Sequence, residues 1–495
     1  MSRQIRPQNP ESRHVTIVGG GISGLSAAWF LQEANRQTNG PPVRYTLLEQ
    51  SDTWGGKINT DVVSGAAEGQ FVVEGGPDSF ITQKPWALEL ARSLGLQDRL
   101  LPTNDERRLV YVLNRGRPTP LPDGLLLIVP TRFTPFALSP LISPLGKLRM
   151  ALDLLIPPRM DDDDETLANF ITRRLGAEAL DKIAEPLLSG IYNAEAEKQS
   201  LLATFPRFRL IERQYGSLIR GMLASRRDTA WRRQAVSPST QPDSMFLSFK
   251  NGMQELVAAL ASRLEGDCRL GAAVQSIGFC NARDGDAGYE LSLGDGSRLE
   301  TDAIILAVPA FVAATLLQPL APRAAQQLDQ IRYVSTGTIS LAYGAPDFDH
   351  PLDGFGIVIP RTEERAINAI TWTSTKFDRR APRGHVLLRA FFGGSRTPHM
   401  MDVDDNELLA TVRRELSEIM GVNAKPLFHR IYRYVDANPQ YDIGHLQRVA
   451  AIESSLPSGL YVTGSPYRGI GIPDCVHQAQ QTVAALLQKV SEKGV

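Results

Sequence analysis

His14-Val15-Thr16-Ile17-Val18-Gly19-Gly20-Gly21-Ile22-Ser23-Gly24 is the stretch that decides the fold. The β-branched run up to Val18 predicts a short strand, three glycines stop it, and apolar spacing from Ile22 to Ala34 predicts a helix. In such a strand, turn and helix, Gly19 permits the tight turn, Gly21 lets backbone approach a pyrophosphate, and Gly24 lets the helix pack closely on the strand. Gly20, Ile22 and Ser23 complete the turn and the helix start, where backbone N–H groups can meet phosphate oxygens. A second strand, Val43 to Glu49, follows Gly-Pro-Pro at residues 40–42 and completes a β-α-β unit with parallel strands.

Glu49 ends that second strand, where a carboxylate can accept both hydroxyls of an adenosine ribose and would repel a 2′-phosphate. FAD or NAD therefore fits the pattern and NADP does not. Gln50 stands beside it as a further candidate contact. Just beyond come Trp54-Gly55-Gly56-Lys57 and Glu74-Gly75-Gly76-Pro77-Asp78-Ser79, two paired-glycine segments that let backbone run close to a long cofactor. The chain closes with a strand at Leu460 to Thr463, a glycine-rich turn from Gly464 to Gly471 and a helix from Asp474 to about Val490.

These segments resemble the flavin amine oxidase superfamily. Within it, Gly-Pro-Asp-Ser-Phe at 76–80, Phe205-Pro206, Tyr215-Gly216-Ser217-Leu218, Asn438-Pro439-Gln440-Tyr441 with Gly444-His445, and the 464–474 turn resemble the oxygen-dependent oxidases of coproporphyrinogen III and protoporphyrinogen IX, over about residues 14–490. The 76–80 form resembles bacterial members, among which coproporphyrinogen oxidases are prominent. The resemblance implies non-covalent FAD, a porphyrinogen substrate and O2. It implies three rounds of two-electron oxidation at flavin N5, with tautomerisation between them and peroxide released each time. By position it implies that Gly55, Gly56 and Lys57 lie along the pyrophosphate, that Gly76, Pro77, Asp78 and Ser79 approach the isoalloxazine, that Val274 meets the adenine side, and that Gly464, Ile470, Gly471 and Ile472 line the flavin. The sequence departs from relatives at Arg433-Tyr434, where Arg-Trp is common; Tyr434 stays a candidate contact, with that contact open.

Composition agrees with a folded enzyme. In 495 residues, 42% are hydrophobic, enough for two or three domains. With 53 basic against 54 acidic residues there is no bias toward nucleic acid. Three cysteines, Cys268, Cys280 and Cys475, show no zinc-like spacing and fit a reducing, cytosolic setting. No metal site is read, and a covalent flavin link at Cys475 is set aside. No apolar run is long enough to span a membrane, so any membrane contact would be peripheral.

The expected class is α/β, α+β overall: a discontinuous Rossmann-like FAD-binding domain (14–110 with 246–309 and 426–495), a helical insertion (118–230), a sheet-containing substrate domain (310–425) and a disordered tail (1–13). Several prolines interrupt the apolar block at 118–158, which reads as core, cavity wall or a membrane-resting surface. Asp161 to Asp164 precede a predicted helix from Glu165 to Leu175, where acidic side chains suit the positive end of its dipole. No Ser-His-Asp set, HExxH or defensible acid–base pair is visible, so catalysis rests on positioning. Lys84, Arg207 and Arg209 are the candidate cations for substrate propionates. Two rival readings remain: another superfamily enzyme, such as an amine oxidase or carotene desaturase, and a flavin-containing porphyrin carrier without turnover.

Overall fold

The computed structural model describes residues 13–37, 42–65, 68–126, 128–130, 132–225, 244–281 and 287–492. Nearly all of the expected tail, and the whole polar stretch from Arg226 to Asp243, lie outside these residues. A five-stranded sheet forms the frame, in the order Asp267–Arg269, Arg44–Leu48, His14–Val18, Ala303–Leu306 and Leu460–Val462, with every pairing parallel. Both faces are buried, as parallel sheets require. Ala303 and Ile305 enter one core with Val15 and Ile17, whereas Ile304 and Leu306 enter the other with Val18. The helices Ile22–Gln37 and Ile472–Glu492 pack together on the first core.

A seven-stranded mixed sheet forms the second unit, in the order Phe428–Pro439, Tyr333–Gly344, His385–Gly393, Ala369–Thr371, Gly354–Val358, Leu109–Asn114 and Arg117–Pro120. This corrects the expected boundaries. Leu109 and Val110 and the strand Phe428–Pro439 belong to this sheet and not to the nucleotide-binding unit. The strand Leu109–Asn114 pairs in parallel with Gly354–Val358, a distant partner that local sequence pattern does not specify. The helix Asp405–Met420 covers one face through Leu408, Val412 and Leu416. Its caps are local: Asp404 accepts from the N–H groups of Asn406 and Glu407, and Gly421 is left-handed.

The insertion is helical, with its own core around Phe170, Ile183, Phe208 and Met222. One expectation there changes. The helix starts at Leu167, capped by Thr166 rather than by the acidic run. Asp161 and Asp162 instead pair with arginines 159, 209 and 213, while Asp164 accepts from Ser200 Oγ at 2.5 Å. Further on, the α-helical turn Ala177–Ala179 runs into a π-helix, Leu180–Ser189, containing Pro186, which has no N–H to give. The helix Pro206–Tyr215 ends at the left-handed Gly216.

Candidate functional site

The three glycines of the turn differ in the space around them. Gly19 has φ +109°, and a Cβ there would lie 2.5 Å from the Ala307 carbonyl oxygen. A Cβ on Gly24 would lie 1.8 Å from the Gly19 carbonyl oxygen, so the helix sits against the turn at a distance only glycine allows. A Cβ on Gly21 would meet no protein atom within 4 Å. Gly21 thus borders open space at a helix start, the cradle a pyrophosphate needs. Ile22 and Ser23 begin that helix, and Gly464 approaches it: a Cβ there would stand 3.1 Å from Ser23 Oγ.

Around that space the other glycine segments converge. Gly55 donates to the Gly20 carbonyl at 2.9 Å and forms an isolated bridge with Gly21. A Cβ on Gly56 would lie 3.4 Å from Gly21 Cα, and one on Gly76 would overlap the Lys57 carbonyl oxygen at 1.7 Å. Lys57 Nζ donates to the Ala437 carbonyl, and burial of the ammonium lowers its pKa. Glu49 folds over the turn: Oε2 accepts from Gly20 N at 2.6 Å, and Oε1 from Ser51 N at 2.9 Å. Gln50 is exposed beside it. Val274 opens the strand that follows Ala272, whose N–H donates to the Glu49 carbonyl at 2.8 Å.

The 74–79 segment is held by charge. Asp78 receives Lys376 Nζ at 2.8 Å and Ser79 Oγ at 2.6 Å. Burial alone would raise the Asp78 carboxyl, but Lys376 and Arg389 hold it well below the usual carboxylate range. Glu74 accepts from Thr60 Oγ1 at 2.6 Å and Met253 N at 2.8 Å, and burial pushes it up to about 7. Arg389 donates to the carbonyls of Gly75 and Gly76. Sequence reasoning missed Arg389 and Lys376. The signal for Arg389 was a single arginine inside the apolar run Val386 to Phe392; Lys376 gave none.

At the other end, Tyr441 braces the turn by donating to the Ser465 carbonyl at 2.6 Å and accepting from Gly469 N at 2.8 Å. His445 stacks on Tyr441 with ring centroids 3.9 Å apart. Tyr441 also packs with Tyr192, Phe205 and Ile470, an aromatic wall beside Gly471 and Ile472. Cys475 is buried and free, and burial pushes its thiol up to about 11.

A flavin fits these residues. The open flank of Gly21 can take phosphates. Tyr434 reaches the 75–76 segment, where its buried hydroxyl has no partner: a Cβ on Gly75 would lie 3.0 Å from it. A ligand acceptor or donor there would satisfy that orphan.

The propionate candidates fare differently. Lys84 is paired with Asp474 at 2.7 Å. Arg209 is buried and donates to Glu165 at 2.9 Å and Glu212 at 3.3 Å, so it is a structural cation of the insertion and not a substrate contact. Arg207 is exposed, with no ion pair among the described residues. A separate cavity of about 410 Å3 between the insertion and the large sheet is lined by Arg361, Arg365 and Arg396, all already paired with glutamates.

Comparison with known proteins matches residues 22–487 to the model of the flavin containing amine oxidoreductase family. The coproporphyrinogen III oxidase of Bacillus subtilis is 34% identical over 480 residues, covering 96% of this chain and 98% of that protein. Protoporphyrinogen oxidase 1 of spinach chloroplasts is 29% identical, covering 96% and 84%. The crystal structure of an Exiguobacterium sp. 255-15 protein assigned to protoporphyrinogen oxidase superposes with TM-score 0.83 at 30% identity, covering 97% of this chain and 100% of that one.

Proposed function

The chain belongs to the flavin containing amine oxidoreductase family, and on that premise we propose that it is an FAD-dependent oxidase of coproporphyrinogen III. The overall change is loss of six hydrogens to give coproporphyrin III, with three O2 reduced to three H2O2. The observation that carries the reading is full-length similarity to coproporphyrinogen III oxidases, 34% identity with 98% of the Bacillus subtilis protein covered. FAD, when bound, supplies the two-electron acceptor for each round.

The chain's own residues bind and orient. Glu49, Gln50 and Val274 would hold the adenine end, and Gly19 to Gly24 with Gly55 to Lys57 the phosphates. The flavin would be held by the Gly76-Pro77-Asp78-Ser79 segment with Tyr434 and by the turn Gly464, Ile470, Gly471 and Ile472. Tyr192, Phe205 and Tyr441 present the macrocycle with an apolar aromatic wall that excludes water. Arg207 is the cation left to meet a propionate. Exposed Leu138, Leu145, Leu148 and Leu155 supply a surface for peripheral membrane contact, read out by co-flotation with liposomes. No helix among the described residues is long and apolar enough to cross a membrane.

Protoporphyrinogen IX is the second reading, favoured by the spinach relative. Aerobic incubation of the FAD-loaded protein with each porphyrinogen, followed by porphyrin fluorescence and peroxide release, separates the two. Coproporphyrinogen III is expected to be oxidised faster than protoporphyrinogen IX, and faster than it autoxidises. Equal rates would sink the substrate preference. Tight porphyrinogen binding without peroxide would point to a carrier, and flavin bleaching by amines under anaerobic conditions to an amine oxidase.

A further inference from the structure

Arg389 is 4% exposed, on a strand otherwise made of apolar residues from Val386 to Phe392. Its Nη2 donates to the carbonyls of both Gly75 and Gly76 at 2.6 Å, and Thr338 Oγ1 donates to the Gly75 carbonyl at 3.1 Å. The large sheet therefore grips this peptide by its carbonyl side. Gly76 also abuts the carbonyl of Lys57, the residue next to Gly56, and a Cβ on Gly56 would lie 3.4 Å from Gly21 Cα, so the gripped peptide stands close to the glycine turn. The Arg389 Nε is buried with no acceptor. Nη2 is thus spent on protein, whereas Nε keeps a donor with no protein partner.

Charge around the peptide is unbalanced. Lys376 and Asp78 neutralise each other at 2.8 Å. Arg380, fully buried, stands 3.8 Å from Glu74. Three cations thus face two carboxyls, and burial leaves one of those, Glu74, only partly ionised near pH 7. In an interior of low dielectric, an excess cation stabilises negative charge placed near it.

We propose that Arg389 is a positioning residue of the flavin site that fixes the Gly75–Gly76 peptide against the cofactor, and that its charge favours the reduced flavin over the oxidised. The inference rests on the flavin reading of the cleft and is independent of which porphyrinogen is oxidised.

The test uses the FAD-loaded protein and R389M, R389K and E74Q variants at pH 8, with no porphyrinogen present. The flavin midpoint potential is measured by spectroscopic titration against a reference dye, and oxidised-FAD affinity by fluorescence. In R389M the ratio of reduced-FAD to oxidised-FAD dissociation constants is expected to rise about tenfold, a fall in potential of about 30 mV for a two-electron couple. R389K keeps the charge and is expected to keep the potential, with the two dissociation constants moving together. E74Q removes an opposing charge and is expected to raise the potential. An R389M protein with unchanged potential and only reduced stability would overturn the proposal. Should R389M fail to hold FAD, E74Q decides, and an unmoved potential there overturns it equally. A wild-type chain that binds no FAD would instead overturn the flavin reading itself.

Discussion

Replacing Gly21 by alanine should separate cofactor binding from folding. A Cβ at Gly21 meets no protein atom within 4 Å, and the residue is not at positive φ. The apo protein therefore loses nothing by gaining a methyl group, and reduced freedom of the unfolded chain stabilises it by about 0.4–1 kcal/mol. The same methyl enters the space where the pyrophosphate must approach backbone. Overpacking a closely fitted contact costs roughly 1–3 kcal/mol, which at 1.4 kcal/mol per decade weakens FAD binding by about five- to 150-fold. Gly24→Ala is the contrast: its Cβ would lie 1.8 Å from the Gly19 carbonyl oxygen, so helix and turn must move apart before either fold or site is intact. Denaturant unfolding of the apo proteins and fluorescence titration with FAD give both quantities. A Gly21→Ala protein with unchanged FAD affinity, or one destabilised as severely as Gly24→Ala, would refute the assignment of Gly21 to the phosphate cradle.

Tyr441→Phe removes the hydroxyl that joins the Ser465 carbonyl to Gly469 N, a loss of about 1–3 kcal/mol that should appear as weaker FAD binding in the same titration. Arg209→Met leaves Glu165 and Glu212 short of a buried partner and should destabilise the protein by about 3–5 kcal/mol, read by thermal unfolding. Arg207→Ala should leave stability unchanged and raise KM for a porphyrinogen carrying four propionates more than for one carrying two. Glu74 has a folded pKa raised from 4.5 to about 7, so the folded state holds its proton more tightly than the unfolded one. Its contribution to stability is complete below about pH 4.5 and is lost as pH rises through about 7, by roughly 3 kcal/mol. Stability curves of wild type and Glu74→Gln should therefore diverge across that window, with the variant the more stable at pH 8.

What was legible in the sequence was what local geometry enforces. The tight turn at Gly19 and the close packing at Gly24 follow from contacts within a turn and its neighbouring strand, and the flanking strand and helix from their own apolar patterns. Strand existence was also readable, since runs such as Val386 to Phe392 are apolar and β-rich. Strand partnership was not. Leu109–Asn114 finds Gly354–Val358 across some 240 positions, and nothing in either hexamer or pentamer names the other. Charges read alone misled for the same reason. Lys84 and Arg209 looked like free cations because Asp474, Glu165 and Glu212 approach them only after folding. The acidic run 161–164 looked like a helix start because its arginine partners come partly from the helix Pro206–Tyr215.

The corrected boundaries carry a physical consequence for the site. The large sheet takes strands from residues 109–120, 333–393 and 428–439, so the chain crosses between this sheet and the nucleotide-binding unit more than once. The segment at residues 74–78, proposed above as a wall of the cofactor site, is held by Arg389 and Thr338 from the large sheet and by Ser248 Oγ, which donates to the Asp78 carbonyl at 2.7 Å. On that proposal neither unit completes the flavin site alone. A fragment limited to residues 310–425 lacks both flanking segments of its sheet, leaving the long edges of Tyr333–Gly344 and Gly354–Val358 unpaired, and such edges aggregate. Cofactor seat and substrate sheet should therefore unfold together, with bound FAD shifting one cooperative transition upward in temperature rather than protecting one of two. Two separate transitions in calorimetry of the FAD-loaded protein, only one of them sensitive to added FAD, would show that the crossings do not couple the units.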